Sequence, residues 1–436
     1  MMRQSRPSFL AGAPSPERLR AAIGANLRWW YRRTVRAAGG ETKRSNGVLW
    51  TYTPEHGGDQ AIIVSRQSRP TGEQLDAILD CYRRRTIERG VLCWSIDPPS
   101  TPHLGGRLAA RGFRWGFRPH WMALELRSLP EEEPVAGVTI GLLDAAVPDV
   151  ADLPYYGRPT AEQWQRLGQD RSLRLWHFGA WLDGRLVGHS VLNLTAGRQG
   201  VAGIFSVGVV PEARRRGIGA AVTAAACGLA RDQGCRFAVL NATPDGKPVY
   251  RRLGFTSLGE GQTWWLPAAV LAAPPPTADQ IALAEAIGQG DITTLEHLAP
   301  HVSPQLLDAP LPNGMLPLHL AVEMRQERAA EWLVAHGAIL DILSVWDLGW
   351  KERVPSLLER SPELADRRSG EGQTTPLHAA ALRNDLDLAR LLLTANPDLE
   401  IQDSGFHSTP LGWAKHFQRT EMVALIEGHV AGRRTL

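Results

Sequence analysis

The sequence predicts a multidomain chain: two tandem copies of an α/β (α+β) unit with mixed sheets, followed by an all-α solenoid of helical repeats. Three observations predict this. An apolar run at 201–210 leads into an Arg- and Gly-rich turn and then an Ala-rich helix. The same order of strand, Arg-x-x-Gly turn, helix, strand, helix and Gly-Phe occurs once earlier, between residues 61 and 113. A Pro-Leu-His phrase then recurs in the C-terminal third. With 436 residues there is room for two to four domains.

The chain is organised around Val207-Gly208-Val209-Val210-Pro211-Glu212-Ala213-Arg214-Arg215-Arg216-Gly217-Ile218-Gly219. A helix follows from about Ala220 to Gln233, with Gly234 placed to cap it. Such a turn aims several backbone N–H groups at one point, and the helix N-terminus adds partial positive charge. Gly217 and Gly219 let the backbone approach a ligand closely. The residues alone imply a site for a phosphate or pyrophosphate.

Arg214-x-x-Gly217-x-Gly219, preceded by Val209-x-Pro211, resembles the acetyl-CoA signature of the GCN5-related N-acetyltransferase (GNAT) superfamily. Asn241 follows Gly219 by 22 residues at the end of a strand, and Tyr250-Arg251-Arg252-Leu253-Gly254-Phe255 comes next. These resemble the second half of that signature. The resemblance implies that Val207, Val209, Arg214, Arg215, Arg216, Gly217, Ile218, Gly219 and Ala220 hold acetyl-CoA. It implies that a backbone N–H of the strand polarises the thioester carbonyl, an oxyanion-type contribution. It also implies that Tyr250 protonates the leaving thiolate and that Asn241 orients the cofactor or an ordered water. A free phenol ionises only near pH 10, so tyrosine is a proton donor at neutral pH.

Composition narrows the remaining classes. The chain is 43% hydrophobic and 21% charged, as globular proteins are, and its net charge is only +3 with no long basic run, so nucleic acid is not an expected partner. No apolar run approaches 18 residues, so no membrane partner is expected and the default compartment is cytoplasmic. Cys81, Cys93, Cys227 and Cys235 form no C-x-x-C pair, which argues for free thiols and no metal. The Ala, Gly, Arg and Trp content suggests a GC-rich bacterial genome.

Residues 1–128 read as the first domain. A helix is predicted over 16–37 with Trp29, Trp30 and Tyr31 on a packed face, then strands at 48–52, 61–65 and 91–96 and a helix from Gly72 to about Glu88. Gly72 to Gly112 spans 40 residues, and Gly217 to Gly254 spans 37. The region therefore reads as a degenerate GNAT-like copy. Gln74 stands where the second glycine is required and Leu108 where the tyrosine is, so no catalysis is expected there. Leu129-Pro130-Glu131-Glu132-Glu133-Pro134 reads as a linker.

The second domain, 135–268, carries predicted strands at 138–142, 175–182, 185–194 and 201–210, with Asp183-Gly184 as a hairpin turn. In the family the segment after the first strand shapes the acceptor pocket, so Tyr155 and Tyr156 are substrate-lining candidates, with ordinary loop packing the alternative. The general base is open. The strand at 202–210 has no carboxylate, which leaves His189, Asp245 or a water relay.

Residues 266–276, with Pro274-Pro275-Pro276, read as a linker to a tail at 277–433. There Leu316-Pro317-Leu318-His319-Leu320-Ala321 is echoed by Thr375-Pro376-Leu377-His378-Ala379-Ala380 and Thr409-Pro410-Leu411-Gly412-Trp413-Ala414. Pro376 to Pro410 is 34 residues, close to the ankyrin period. The tail resembles five ankyrin units, those at 281–298 and 342–358 being divergent, the latter without a hairpin finger. His319 and His378 read as structural, bonding back to the turn of their own repeat. The resemblance implies a protein partner for the array.

The combined reading is an acetyl-CoA-dependent N-acetyltransferase acting on a primary amine, of a small molecule such as an amine-bearing antibiotic or an amino-acid-like metabolite. The alternatives are a protein N-acetyltransferase whose array recruits the target, and a non-catalytic acetyl-CoA-sensing scaffold.

Overall fold

The computed structural model describes residues 8–54, 60–65, 68–95, 103–131, 134–143, 153–154, 166–167, 174–370 and 372–433. Tyr155 and Tyr156 lie outside the described residues. The chain divides into two compact units: residues up to Leu104 with Gly112–Pro275, and Gly105–Arg111 with Pro276–Leu436. Among the described residues no helix is long and apolar enough to cross a membrane.

The first unit opens with helix α1 (Pro16–Ala37), which Ser15 caps by accepting from the Arg18 N–H. Strands β1 (Glu41–Ser45) and β2 (Val48–Tyr52) are joined by Asn46-Gly47, both at positive φ, as tight hairpins require. Then come β3 (Gln60–Val64), α2 (Gly72–Arg83), β4 (Gly90–Ser95), β5 (Arg114–Trp115) and β6 (His120–Glu125), while α3 (Leu104–Ala109), between β4 and β5, belongs beyond Leu104 to the second unit. The later half supplies β7 (Val138–Leu142), β8 (Leu175–Leu182), β9 (Arg185–Leu194), β10 (Ala202–Val209), α4 (Ile218–Asp232), β11 (Phe237–Ala242), α5 (Gly246–Arg252), β12 (Thr256–Glu260), β13 (Gln262–Pro267) and α6 (Ala268–Ala272). The stretch expected to be linker from 266 onward is thus partly ordered. Its Ala and Leu residues are strong helix formers, and Leu271 buries against the unit.

Two mixed sheets result, in the orders β1-β2-β3-β4-β13-β5 and β12-β6-β11-β10-β9-β8-β7. Each contains one parallel pair, β3 with β4 and β10 with β11. Beyond that pair each sheet continues with an antiparallel strand from the other half of the unit. β13 pairs with β4 from Gln262↔Ser95 to Pro267↔Gly90, and β6 pairs with β11 from Phe237↔Glu125 to Ala242↔His120. The halves exchange their last strands, and each exchanged strand is flanked on both sides in its host sheet. Trp264 on β13 is 2% exposed and stacks on Trp115 of the first half with centroids 5.7 Å apart.

Helix α1 also crosses the halves. Its Asn26, buried, lies with Nδ2 at 3.0–3.1 Å from Asn193 O, Thr195 Oγ1 and Val201 O, and its Oδ1 accepts from Asn193 Nδ2 at 3.1 Å. Gly203 leaves room for this approach, since a Cβ there would stand 2.0 Å from Asn26 Oδ1. Trp30 lies flat on Phe205, with ring centroids 4.6 Å apart and planes 7° apart. The predicted packed face serves both halves, for Tyr31 Oη accepts from Trp94 Nε1 at 2.7 Å while Trp30 covers the second sheet; Trp29 is exposed beneath Arg32 and Arg33.

The second unit is a stack of helix pairs, with one core running from Leu283 to Ile426. Thr375 caps the helix Pro376–Arg383, and His378 Nδ1 sits 2.8 Å from Thr375 Oγ1 while Nε2 donates to Ser408 O at 2.9 Å. His319 departs from that pattern. Leu316 offers it no hydroxyl, and its Nε2 lies 3.0 Å from Asp341 Oδ2 instead. The helices Ile342–Asp347 and Val354–Arg360 follow Glu327–Ala335 with no β-bridge between them, whereas Ser369 and Thr374 bridge before the next pair. Residues 105–111 belong to this unit. Gly106 packs directly on Gly288, where a Cβ on the latter would stand 2.5 Å from the Gly106 Cα, and the Arg111 guanidinium pairs with Glu285.

Candidate active site

The two parallel strand pairs differ in one respect that decides where a ligand can enter. β3 and β4 stay paired along their length, from Gln60↔Val91 to Val64↔Ser95. β10 and β11 pair only at Ala202↔Ala238 and Gly203↔Val239 and then part. The cause is a β-bulge: the register of β10 against β9 shifts between Phe205 and Gly208, and Ser206 sits at φ 50°. Beyond the bulge Val210 N–H donates to Val187 O on β9 at 2.9 Å. Amides alternate along a strand, so Gly208 and Val210 face β9 while the N–H groups of Val207 and Val209 face the gap.

The gap runs into the Arg-rich turn. Arg214 Nε donates to Val209 O at 3.2 Å, and Arg214, Arg215, Arg216 and Gly217 are all exposed. Gly217 is the N-cap of α4 at φ 85°, and no side chain caps that end of the helix. The first amides of a 15-residue helix, those of Ile218, Gly219 and Ala220, are left without an intrahelical acceptor. An anion fits this end. An extended chain of amides has the acceptors to pair with the N–H groups that face the gap.

The first half lacks both features. Besides the closed β3–β4 pair, the corresponding helix α2 is capped by its own sequence, since Thr71 Oγ1 accepts from Gln74 N–H at 3.2 Å. Gln74 Nε2 is turned away to Ser45 O.

Among the proposed catalytic residues, Tyr250 is buried on α5, ring edge toward Phe255, and Asn241 is half-buried on β11 opposite Trp121. Asp245 is exposed at the start of α5. His189 lies next to the bulge, paired with Gly208 across the sheet, and both its ring nitrogens are engaged. Its Nε2 donates to Pro154 O at 2.7 Å, so Nδ1 accepts from His177 Nε2 at 2.9 Å. A Cβ on Gly208 would stand 2.2 Å from that same Pro154 oxygen, so only glycine fits under the ring. Sequence reading missed His177. The hairpin register was the available signal, because it sets His177 and His189 diagonally on adjacent strands.

Burial, and for His177 the neighbouring His189 as well, pushes the two imidazoles down to about 3 and about 4. Both values lie below the ordinary 6.5, so the unfolded chain binds more protons than the folded one as pH falls from 6.5. The stability from the neutral pair is present at pH 7 and is lost toward pH 4. The expected loss from pH 7 to pH 5 is about 2 kcal/mol per imidazole. Urea midpoints at the two pH values should show it, and His177→Gln should flatten the dependence. Burial likewise raises the thiols of Cys93, Cys227 and Cys235, the last to about 11. None of the four cysteines is in a disulfide.

Comparison with known proteins places these features. Residues 143–255 match the Acetyltransferase (GNAT) family, and residues 313–344 and 373–404 match the ankyrin repeat. No curated protein matches the chain. Among solved structures, a GCN5-related N-acetyltransferase from Kribbella flavida is 19% identical over 56% of this chain and 96% of its own, with a TM-score of 0.41. A second, from Sphaerobacter thermophilus, is 18% identical over 59% and 95%, with a TM-score of 0.38. A tandem GNAT protein from the clavulanic acid biosynthesis pathway is 18% identical over 53% and 82%, with a TM-score of 0.37. The chain therefore carries a GNAT acetyltransferase domain of mixed-sheet α/β fold and, in its C-terminal region, ankyrin repeats.

Proposed function

We propose that the protein is an acetyl-CoA-dependent N-acetyltransferase with one working site, acting on a primary amine of a small molecule such as an amine-bearing antibiotic or an amino-acid-like metabolite. The parting of β10 from β11 beside an uncapped helix end is the observation that carries this reading. The repeated pairing order of the two sheets supports a tandem origin, with 1–128 a degenerate copy, 135–268 the catalytic domain and 277–433 the ankyrin array. The closed β3–β4 pair and the self-capped α2 support an idle first copy.

When bound, acetyl-CoA supplies the acyl group as a thioester. The amides of Ile218, Gly219 and Ala220 and the guanidinium groups of Arg214, Arg215 and Arg216 bind its pyrophosphate arm. Val207 and Val209 hold the pantetheine amides through the N–H groups that face the gap. Tyr250 holds a proton at Oη for the leaving sulfur, and Asn241 orients the groups beside it. His189 is not free to take the amine's proton, because its one lone pair is engaged by His177. Trp30 lying flat on Phe205, next to the bulge, supports a covered face there and hence a compact amine. Acetylation of a protein recruited by the array is the second reading, supported by the repeats at 313–344 and 373–404.

Calorimetric titration of acetyl-CoA tests the proposal. One site per chain is expected, and Tyr250→Phe should keep that affinity while lowering kcat by about 10²-fold in a thiol-release assay over an amine panel. Two sites would refute the idle first copy. No binding at millimolar ligand would refute the function.

A further inference from the structure

The strand exchange brings together a second set of reactive side chains, on the opposite side of β11 from the gap. His120 opens β6, Ser257 and Glu260 lie on β12, and the register pairs His120 with Glu260 and Met122 with Ser257. Ser257 Oγ is 2.8 Å from His120 Nε2, and Glu260 Oε1 is 3.4 Å from His120 Nδ1. The register of β12 shifts between Ser257 and Gly259, and Gly259 takes φ 107°. This turns the Gly259 N–H back to donate to Ser257 Oγ at 3.3 Å. In the tautomer that carries the ring proton on Nδ1, the hydroxyl hydrogen points to Nε2 while Oγ accepts from the Gly259 N–H. Nε2 then accepts, the ring proton rests on Nδ1, and the carboxylate is its acceptor. Hydroxyl to imidazole to carboxylate is the order in which a serine is activated as a nucleophile. Lys247 on α5 places its Nζ 3.4 Å from Nδ1, on the Glu260 side of the ring, and Arg20 donates to Leu258 O, beside Ser257, at 3.0 Å. Ser257 is exposed, whereas the His120 side chain is only 11% exposed and held on three sides.

We propose that Ser257, His120 and Glu260 form a second catalytic site, independent of the acetyl-CoA gap, that hydrolyses small activated carboxylic esters. Ser257 Oγ bonds to the carbonyl carbon and passes its proton to His120 Nε2. The ester C–O bond breaks, and the leaving alkoxide or phenolate takes that proton. Water then adds to the acyl-serine through the same imidazole, and the carboxylic acid departs as Ser257 recovers its proton. One ester and one water give one acid and one alcohol. Glu260 is a positioning residue that fixes the ring tautomer.

The test treats the full-length protein with a fluorophosphonate probe, locates the adduct by peptide mass spectrometry, and measures p-nitrophenyl acetate hydrolysis in parallel. A single adduct on Ser257 is expected, absent in Ser257→Ala. Labelling should slow by about 10²-fold in His120→Gln and about tenfold in Glu260→Gln. Melting curves separate these effects from unfolding, and Glu260, with a side chain 56% exposed, can be changed without disturbing the core. No adduct on Ser257, or wild-type labelling rates in both the His120 and Glu260 variants, would overturn the proposal. Neither readout involves acetyl-CoA, so this result and the fate of the acetyltransferase reading stay separate.

Discussion

Residues 8–131 produced on their own are expected not to fold. Their sheet would lack β13, which lies between β4 and β5 and pairs with β4 from end to end. Loss of the enclosed Trp264 alone is worth about 3–5 kcal/mol. The backbone groups of β4 left facing that slot add about 1 kcal/mol or more each. The fragment would also carry β6 with no sheet to enter, and α1 without Asn193, Thr195 and Val201 for its Asn26. A domain has only about 5–15 kcal/mol of stability in total, so these losses exceed what the fragment can hold. Circular dichroism should show no cooperative melt for 8–131 or for 134–275 alone. A mixture of the two should regain one transition and coelute on gel filtration. A sharp transition from 8–131 alone would mean that the exchanged strands are dispensable.

Gly217→Glu is expected to abolish acetyl-CoA binding, with at least a 10²-fold loss of affinity by calorimetry. Two effects add. At φ 85° a side chain costs about 1–2 kcal/mol, and the carboxylate would sit at the positive end of α4, where the pyrophosphate arm is proposed to bind. Clash with the protein is not the reason, because the nearest atom to a Cβ there is Val135 Cγ2 at 3.5 Å. Gly217→Ala therefore separates the terms: it carries the strain without the charge and should lose affinity by roughly tenfold. Equal binding in both variants and the wild type would remove the turn from the site.

The turn was legible in the sequence because its requirements are local. Gly217 must accept positive φ, the arginines must flank it, and an apolar strand must precede it, all within a dozen residues. The ankyrin phrase is legible for the same reason, down to the bond between His378 and Thr375. The gap itself was not, since Ser206 has no property that announces a bulge. Partner choice was the other blind spot. His120–Glu125 and Gln262–Pro267 are strands that enter the other half's sheet, and nothing in a period-two pattern states which sheet a strand will enter. That is why Trp30, Asn26 and His120 were read within their own half or passed over, although each acts on the other.

Gly105–Arg111 bears on how the array could have been acquired and how its role can be tested. Seven residues from the middle of the first half are built into the array's core: Ala109 and Ala110 are buried there, Gly106 meets Gly288, and the Arg111 side chain is 3% exposed beside Glu285. An array joined only by its linker would be a cassette, open to shuffling between genes or removal with one cut. This one is not interchangeable, because a replacement must offer a glycine and a carboxylate at the same places on its first helix. Deleting residues 276–436 would strand Ala109, Ala110 and Arg111 without cover, and any lost activity would not speak to target recruitment. Substitution on the outside of the array, at Phe406 with 79% of its surface exposed, asks that question while leaving the seven residues in place.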